Sequence, residues 1–534
     1  MPVLFLAAFV GSATVAAADD LALVRDLAGS VGPVIGSASA CRDIVRPRVQ
    51  VIADKFQAVI AEATSNETER VDLGRLLDRY VADGRSAVSS GRIDCKVAER
   101  ELSSLEQSLG VSPPPSSPSQ SSTSLSGLMA PSSAVAATAP STPMVAATSP
   151  RAVIAASPAS SPARGVSDSE IRFGIVAPFS GSARELGREM KLGIDTAFNS
   201  VNDAGGVEGR MLRLFAADDG YEPSRTLDAM KQLYDKEQVF GFIGNVGTPT
   251  AAVAIPYALE RRTLFFGAFT GADMLRNDPP DRYVFNYRAS YSEETDAVVR
   301  YLIKLRKLQP TQIAVFAQQD SYGDAGFAGV AKAMRALGVT DSAILRLGYK
   351  RNTVDVDDAV KQLRLQKLPI KAVVMVAAYR AAAKFIEKTR NFFPNMIYTN
   401  VSFVGSTALA DELMLLGPQY ASGVIVTQVV PAVGGYSSAV LEYKSALAKY
   451  FPGEAPDYVS FEGFVAANVL IQALKRTGAQ LDTERLIDNL EAMRDIDLGL
   501  GTPLNFGRAE HQASHKIWGT AMDKSGKYQP ITLE

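Results

Sequence analysis

Thr248-Pro249 comes three residues after an apolar run at 239–244, and a hydroxyl residue before proline writes the start of a helix. Unpaired peptide N–H groups and the helix dipole at such an end favour an anion or a carbonyl oxygen. The same two residues serve equally well as a plain cap, and their spacing does not separate the two uses. Asp218-Asp219 is a carboxylate pair. Neighbours on an extended chain point to opposite faces, so structural or cleft-mouth roles fit it better than acid–base work. His511 and His515 have a metal-like spacing if helical. They fall between two expected strands, so a turn is the simpler reading and no metal is expected. No G-x-S-x-G, G-x-x-x-x-G-K-[ST] or H-E-x-x-H occurs. Nucleophile, nucleotide and zinc-protease chemistry therefore lack their minimum parts, and the chain reads as a non-enzyme without a cofactor.

The elements that must position these residues are legible as short, near-continuous apolar runs, the mark of strands buried on both faces. Runs at 171–178, 211–217, 239–244 and 263–267 alternate with helical stretches at 190–201, 224–234 and 250–260. This is a βαβ chain that must form a parallel sheet with right-handed crossovers. The pattern restarts with strands at 312–317, 343–347, 372–376, 397–401 and 423–428, and helices at 293–305, 326–337, 356–365, 380–390 and 409–416. The tail reads as helices at 438–450, 458–476 and 483–493, then strands at 503–506, 516–522 and 528–531. The fold class is α/β, with two doubly wound lobes.

Upstream the chain changes character twice. Residues 1–18 join an apolar run to Ala16-Ala17-Ala18, the pattern of a secretory signal peptide, although no basic residue precedes Arg25. Residues 19–110 read as a helical bundle with helices at 41–63, 71–88 and 94–109. The chain's two cysteines, Cys41 and Cys95, both lie there, and in an exported chain they are expected to pair. A lipid anchor on Cys41 fits less well, since the preceding Ala38-Ser39-Ala40 lacks the usual leucine and lies too far from Met1. Residues 111–165 are Ser, Pro or Ala at 37 of 55 positions, with Arg151 and Arg164 as the only charges. Too little apolar surface exists there to repay ordering, so a disordered linker is expected. The whole chain carries 57 acidic and 55 basic residues. With charges so balanced no large single-signed field attracts a polyanion, and nucleic acid is excluded as an expected partner.

The residues of the third part resemble those of a known family, the type I periplasmic solute-binding proteins of ABC importers, of the leucine/isoleucine/valine-binding kind. The carriers are Ala177-Pro-Phe-Ser-Gly181, Asn202-Asp-Ala-Gly-Gly-Val-Glu-Gly-Arg210, Asp218-Asp-Gly-Tyr-Glu-Pro223, Gly244-Asn-Val-Gly-Thr-Pro-Thr250, Arg288-Ala-Ser-Tyr291 and Gln319-Asp-Ser-Tyr-Gly-Asp324, in the family's order. The likeness spans about 170–531 and leaves out the bundle and the linker.

The resemblance implies a binding domain at 166–534 with a three-strand hinge. Lobe 1 would hold about 166–288 and 431–500, and lobe 2 about 289–430 and 501–534. Crossings are expected near 287–289, 428–431 and 499–503. Ligand would lie between the lobes, where open α/β sheets bind beyond their strand ends. Loops carrying Ser180 and Ala183, then Asn245, Gly247 and Thr248, then Ala268 and Thr270, would face it from lobe 1. In the family a Ser or Thr at the place of Thr248 holds the ligand's carboxylate, and Thr270 has a turn role as its alternative. Tyr322 and Tyr379 match cleft tyrosines of lobe 2, although both also fit as amphipathic residues at helix starts. One departure is plain: the family's acid for a ligand ammonium falls in 402–406, where this chain has Ser402, Phe403 and Val404. Glu185 and Glu462 are other acids that could reach the cleft. A neutral or anionic ligand with an apolar or aromatic part is therefore expected. The implied protein is a periplasmic monomer delivering a small molecule to a membrane permease, with a ligand-sensing or docking module acting on a membrane receptor as the alternative.

Overall fold

The computed structural model describes residues 17–41, 44, 46–64, 67–90, 93–108 and 163–533. Residues 1–16 and nearly all of the expected linker lie outside this set. The described chain falls into two units, one on each side of residue 150.

The first unit is a bundle of α1 (Ala17–Ala40), α2 (Arg46–Ala63), α3 (Glu67–Ser89) and α4 (Cys95–Ser108). The sequence reading specified three of these helices and gave none for α1, whose first two residues it assigned to the signal peptide. Val31, Ile35, Ile52, Phe56, Ile60, Leu73, Leu77 and Leu102 form its core at helical spacing. Cys41 and Cys95 are disulfide-bonded with Cα atoms 5.6 Å apart, joining the end of α1 to the first residue of α4. Arg48 of α2 reaches Glu99 at 2.6 Å and Glu106 at 2.7 Å, both on α4.

In the second unit, lobe 1 is a five-stranded parallel sheet in the order β2-β1-β3-β4-β5. Its strands are β1 (Glu170–Ala177), β2 (Met211–Asp218), β3 (Gly241–Ile243), β4 (Leu264–Phe266) and β5 (Val284–Phe285), with helices α5 (Arg184–Asp203), α6 (Pro223–Lys231) and α7 (Thr248–Glu260) between them. Lobe 2 opens with α8 (Tyr291–Arg300), which Ser290 and Glu293 start with a reciprocal capping box. It continues through β6 (Ile313–Gln318), α9 (Ser321–Arg335), β7 (Leu345–Tyr349), α10 (Asp357–Arg364), β8 (Ala372–Val376), α11 (Tyr379–Arg390), β9 (Ile397–Asn400), α12 (Ser406–Leu416), the short α13 (Pro418–Ala421) and β10 (Ile425–Gln428). The chain then returns to lobe 1 as α14 (Ser438–Tyr450), α15 (Tyr458–Thr477) and α16 (Thr483–Ala492), and ends in lobe 2 with β11 (Trp518–Met522) and β12 (Tyr528–Ile531). The lobe 2 sheet runs β12-β11-β10-β9-β8-β6-β7, with every pairing parallel except β10–β11 and β11–β12, which are antiparallel.

Three expectations need correction. The third crossing is not at 499–503: Asn286 pairs with Gln512, and Ala513 and Ser514 donate to the carbonyls of Asn286 and Tyr287 at 2.9 and 3.0 Å. The chain stays on lobe 1 that long because Phe506 packs edge-on to Phe266 and Phe285, and His511 stacks on Phe285 at 3.8 Å. The run at 503–506 is no strand, having only an isolated bridge from Leu504 to Ile496. At the other end, 163–165 belong to lobe 1 rather than to a linker. Arg164 donates to the Tyr234 carbonyl at 2.6 Å and covers that ring at 4.0 Å.

Candidate binding cleft

Strand order decides where a site can form. In lobe 1, β1 lies between β2 and β3; in lobe 2, β6 lies between β7 and β8. At such switch points adjacent loops leave on opposite sides and open a crevice at the strands' carboxyl ends. The crevice loops therefore follow β1, β3 and β4 in lobe 1, and β6, β8 and β9 in lobe 2.

Thr248 opens α7 and Thr270 follows β4; both are fully buried, and their hydroxyls lie 2.7 Å apart. One can donate to the other, which leaves a donor to spare. Gly247 before them has φ 111°, and a Cβ there would meet the Tyr221 ring at 2.4 Å, so the tight entry needs glycine. Tyr291 begins α8 and donates its N–H to the Gly271 carbonyl of lobe 1 at 2.7 Å. Burial pushes its phenol up, against Arg288 and the hydroxyls of Thr270 and Thr248 beside it.

Tyr322, on the first turn of α9, faces Tyr291 with ring centroids 5.4 Å apart and Phe403 at 4.6 Å. Phe403 stacks on Phe269 of lobe 1 at 5.1 Å and meets Tyr221 at 6.1 Å. All five rings are buried. The cleft centre is thus an aromatic cluster shared by both lobes, with the threonine pair at one side. The Tyr291 hydroxyl lies against those of Thr270 and Thr248, whereas the Tyr322 hydroxyl is buried with no hydrogen-bond partner among the described residues. Native structures rarely leave such groups unpaired.

The other expected site residues divide. Ala183 and Ala268 are buried wall residues. Asn245 turns inward, accepting from the Val176 N–H at 3.2 Å and donating to Met230 sulfur, so it holds loop to strand. Ser180 is exposed and donates to Asp218 at 2.6 Å. Asp218 also receives the Phe179, Ser180 and Gly220 N–H groups, which makes it the organiser of that loop. Tyr379 is buried beside Gly405; burial pushes its phenol up to about 12 with Arg380 opposing, and no ring of the aromatic cluster is among the groups that act on it. Sequence reasoning missed Tyr221, Phe269, Arg288 and Tyr291 as site residues. Arg288-Ala-Ser-Tyr291 and Asp218-Asp-Gly-Tyr-Glu-Pro223 were among the family-like stretches, signals that pointed towards three of them.

Behind Phe403 lies a buried charge network. Glu294 accepts from Arg288 at 3.1 Å, from the Ser402 N–H at 2.8 Å and hydroxyl at 2.9 Å, and from the Thr427 hydroxyl. Both of its carboxylate oxygens are committed to the protein. Arg288 lies 5.0 Å from the Phe269 ring centre and 3.4 Å from Glu462. Burial pushes the Glu462 carboxyl up to about 7, with Arg288 opposing and Glu294 adding to the rise. Glu185 is held by Arg184 and Arg188. His511 is buried with Nδ1 at 2.9 Å from the Val284 carbonyl, and no group of described residues could hold a metal ion.

A model of the periplasmic binding protein family matches residues 170–527, and the chain belongs to that family. Leu/Ile/Val-binding protein homolog 3 of Brucella melitensis is 24% identical over 338 residues, which cover 62% of this chain and 86% of the relative. The structure of a possible leucine/isoleucine/valine-binding protein from Rhodopirellula baltica is 38% identical, with a TM-score of 0.65, covering 70% of this chain and 98% of its own. A fatty acid ABC transporter substrate-binding protein from Thermomonospora curvata has a TM-score of 0.63 over 70% of this chain and 94% of its own. At 20% identity that likeness speaks for the fold alone. These are solute-binding proteins of a periplasmic family. Among the described residues no helix is long and apolar enough to cross a membrane.

Proposed function

We propose that this protein is an extracytoplasmic solute-binding protein that captures a small molecule between its lobes and delivers it to the permease of an ABC importer. The observation that carries the reading is the threonine pair of lobe 1 with the Tyr291 hydroxyl against it, and the buried, unpartnered Tyr322 hydroxyl in the same aromatic cluster. Donors of this kind, set among aromatic rings and without a free carboxylate, suit a neutral or anionic ligand with an apolar or aromatic part. Micromolar affinity corresponds to about −8 kcal/mol, within reach of a buried ring and a few hydrogen bonds. A thermal-shift screen of amino acids, amides and aromatic carboxylates tests it. Stabilisation by an aromatic or other apolar acid supports the reading, and a response confined to zwitterionic amino acids overturns the ligand class. Ligand-dependent transport by a reconstituted permease separates delivery from sensing at a receptor.

A further inference from the structure

The lobes also meet away from the aromatic cluster, at the turn that follows β7. Arg351 Nη2 donates to Glu222 Oε2 of lobe 1 at 2.9 Å, while its Nη1 is held within lobe 2 by Asp320 Oδ2 at 2.8 Å. Asn352 Nδ2 donates to Glu222 Oε1 at 2.6 Å and to the Gly220 carbonyl at 3.1 Å, and Asn352 Oδ1 accepts from the Ser182 hydroxyl at 3.2 Å. Asn352 has φ 59°, a left-handed conformation that asparagine tolerates better than most residues. Ser182 and Asn352, with Thr353 and Arg380, form the half-buried side of a cavity of about 10 Å³ whose buried side is Tyr221, Gln318 and Tyr349.

None of these latch contacts involves the threonine pair or the hydroxyls of Tyr291 and Tyr322. Asp320 nevertheless links the two regions: it accepts from the Tyr322 N–H at 3.0 Å and from the Gln318 amide at 2.8 Å, and that amide reaches the Tyr221 hydroxyl of lobe 1 at 3.3 Å. A planar guanidinium can serve two carboxylates in fixed directions. Without it, Glu222 and Asp320 would face each other across the seam as like charges.

We infer that Arg351 and Asn352 are positioning residues for binding, a latch that stabilises the closed arrangement of the lobes and populates it before ligand arrives. The inference rests on the reading of the cleft as a closing site, but it requires no ligand identity. Differential stabilisation of one state is what shifts such an equilibrium. Binding energy otherwise used to close the lobes is then available for affinity.

The test uses the full-length chain with the Cys41–Cys95 disulfide intact and spin labels at Lys231→Cys on α6 and Lys361→Cys on α10. Pulsed dipolar spectroscopy without ligand reads the separation of the lobes. The parent is expected to show a short-distance population. Arg351→Ala and Asn352→Ala should each lower the closed-to-open ratio about two- to ten-fold, and Arg351→Lys should recover part of it. Glu222→Gln tests the same contact from the other lobe, which keeps the test decisive if a lobe 2 variant folds poorly. A ligand-free parent with only the long distance overturns the inference, as do folded variants whose distributions match the parent's. Failure of the ligand screen with a working latch would instead remove the solute reading alone.

Discussion

Glu294 shows how a charge can lie beside a binding cleft without serving it. Its oxygens are held by Arg288, Ser402 and Thr427, while Phe403, next to Ser402 in the chain, stacks on Phe269 of lobe 1. A ligand ammonium would be buried unpaired at a cost of several kcal/mol. Isothermal titration should therefore find leucine, isoleucine and valine binding poorly, and submicromolar leucine binding would show an acid reaching the cleft. Tyr322→Phe removes a hydroxyl that the folded protein does not pair, so unfolding stability should be nearly unchanged. Affinity for the ligand found by screening should fall by about 1–3 kcal/mol, as it should for Thr248→Ala. Glu462 gives a pH signature. Its folded-state pKa, up to about 7, lies above the ordinary 4.5, so the unfolded chain releases this proton first. The stabilisation is complete below about pH 4.5 and lost as pH rises through 7, amounting to about 3 kcal/mol at most. Glu462→Gln should flatten that part of a denaturation series against pH; an unchanged slope would assign the dependence to other buried acids. Thr248 and Thr270 were candidates because loops after buried strands announce themselves in one dimension, and Tyr322 and Phe403 only through the family resemblance of the stretches around them. Tyr221, Phe269 and Tyr291 were not, because what makes them site residues is contact with Phe403, more than a hundred positions away in sequence.

Close approach of helices sets the limits on substitution at the next scale. A Cβ on Gly193 of α5 would lie 1.8 Å from the Ser460 carbonyl oxygen of α15, so these helices cross with backbone nearly touching. Backbone cannot step aside as a side chain can. Gly193→Ala should destabilise the binding unit by about 1–3 kcal/mol or more, seen as a lower melting temperature. The Cys41–Cys95 disulfide acts on the bundle alone. With a sequence separation of 54 between its cysteines, its removal by Cys41→Ala and Cys95→Ala should cost that unit about 4 kcal/mol in the chain-entropy picture. A two-step melt in which only the bundle transition moves is the expected result. Of the elements themselves, the parallel strands other than the two-residue β5, which was missed, were read nearly to their ends, because burial on both faces leaves uninterrupted apolar runs. The stretch at 503–506 was misread for the same reason. Leu504 and Phe506 are apolar because they cover the edge of lobe 1, a tertiary role that periodicity over four residues does not distinguish from a strand.

For the whole molecule, the question is whether binding belongs to the second unit by itself. Both sheets, all three crossings and every residue of the cleft lie between Ala163 and Leu533, and the core of that region closes without any residue of the bundle. Between the two units, trypsin would find Arg151 and Arg164 alone. Arg164 is held by the Tyr234 carbonyl and ring, and Gly165 receives the Arg172 N–H through its own carbonyl at 2.8 Å, so the second bond is protected by structure. Arg151 lies in a Ser, Pro and Ala sequence with little apolar surface to pack, where proteases cut readily. Limited trypsin treatment should therefore release a stable fragment beginning at Ala152, identified by its mass, before any cut at Arg164. That fragment should bind the screened ligand with the affinity of the intact chain. Loss of binding on cleavage would make the helical bundle part of the binding function, and early cutting at Arg164 would contradict the contacts that place it in lobe 1.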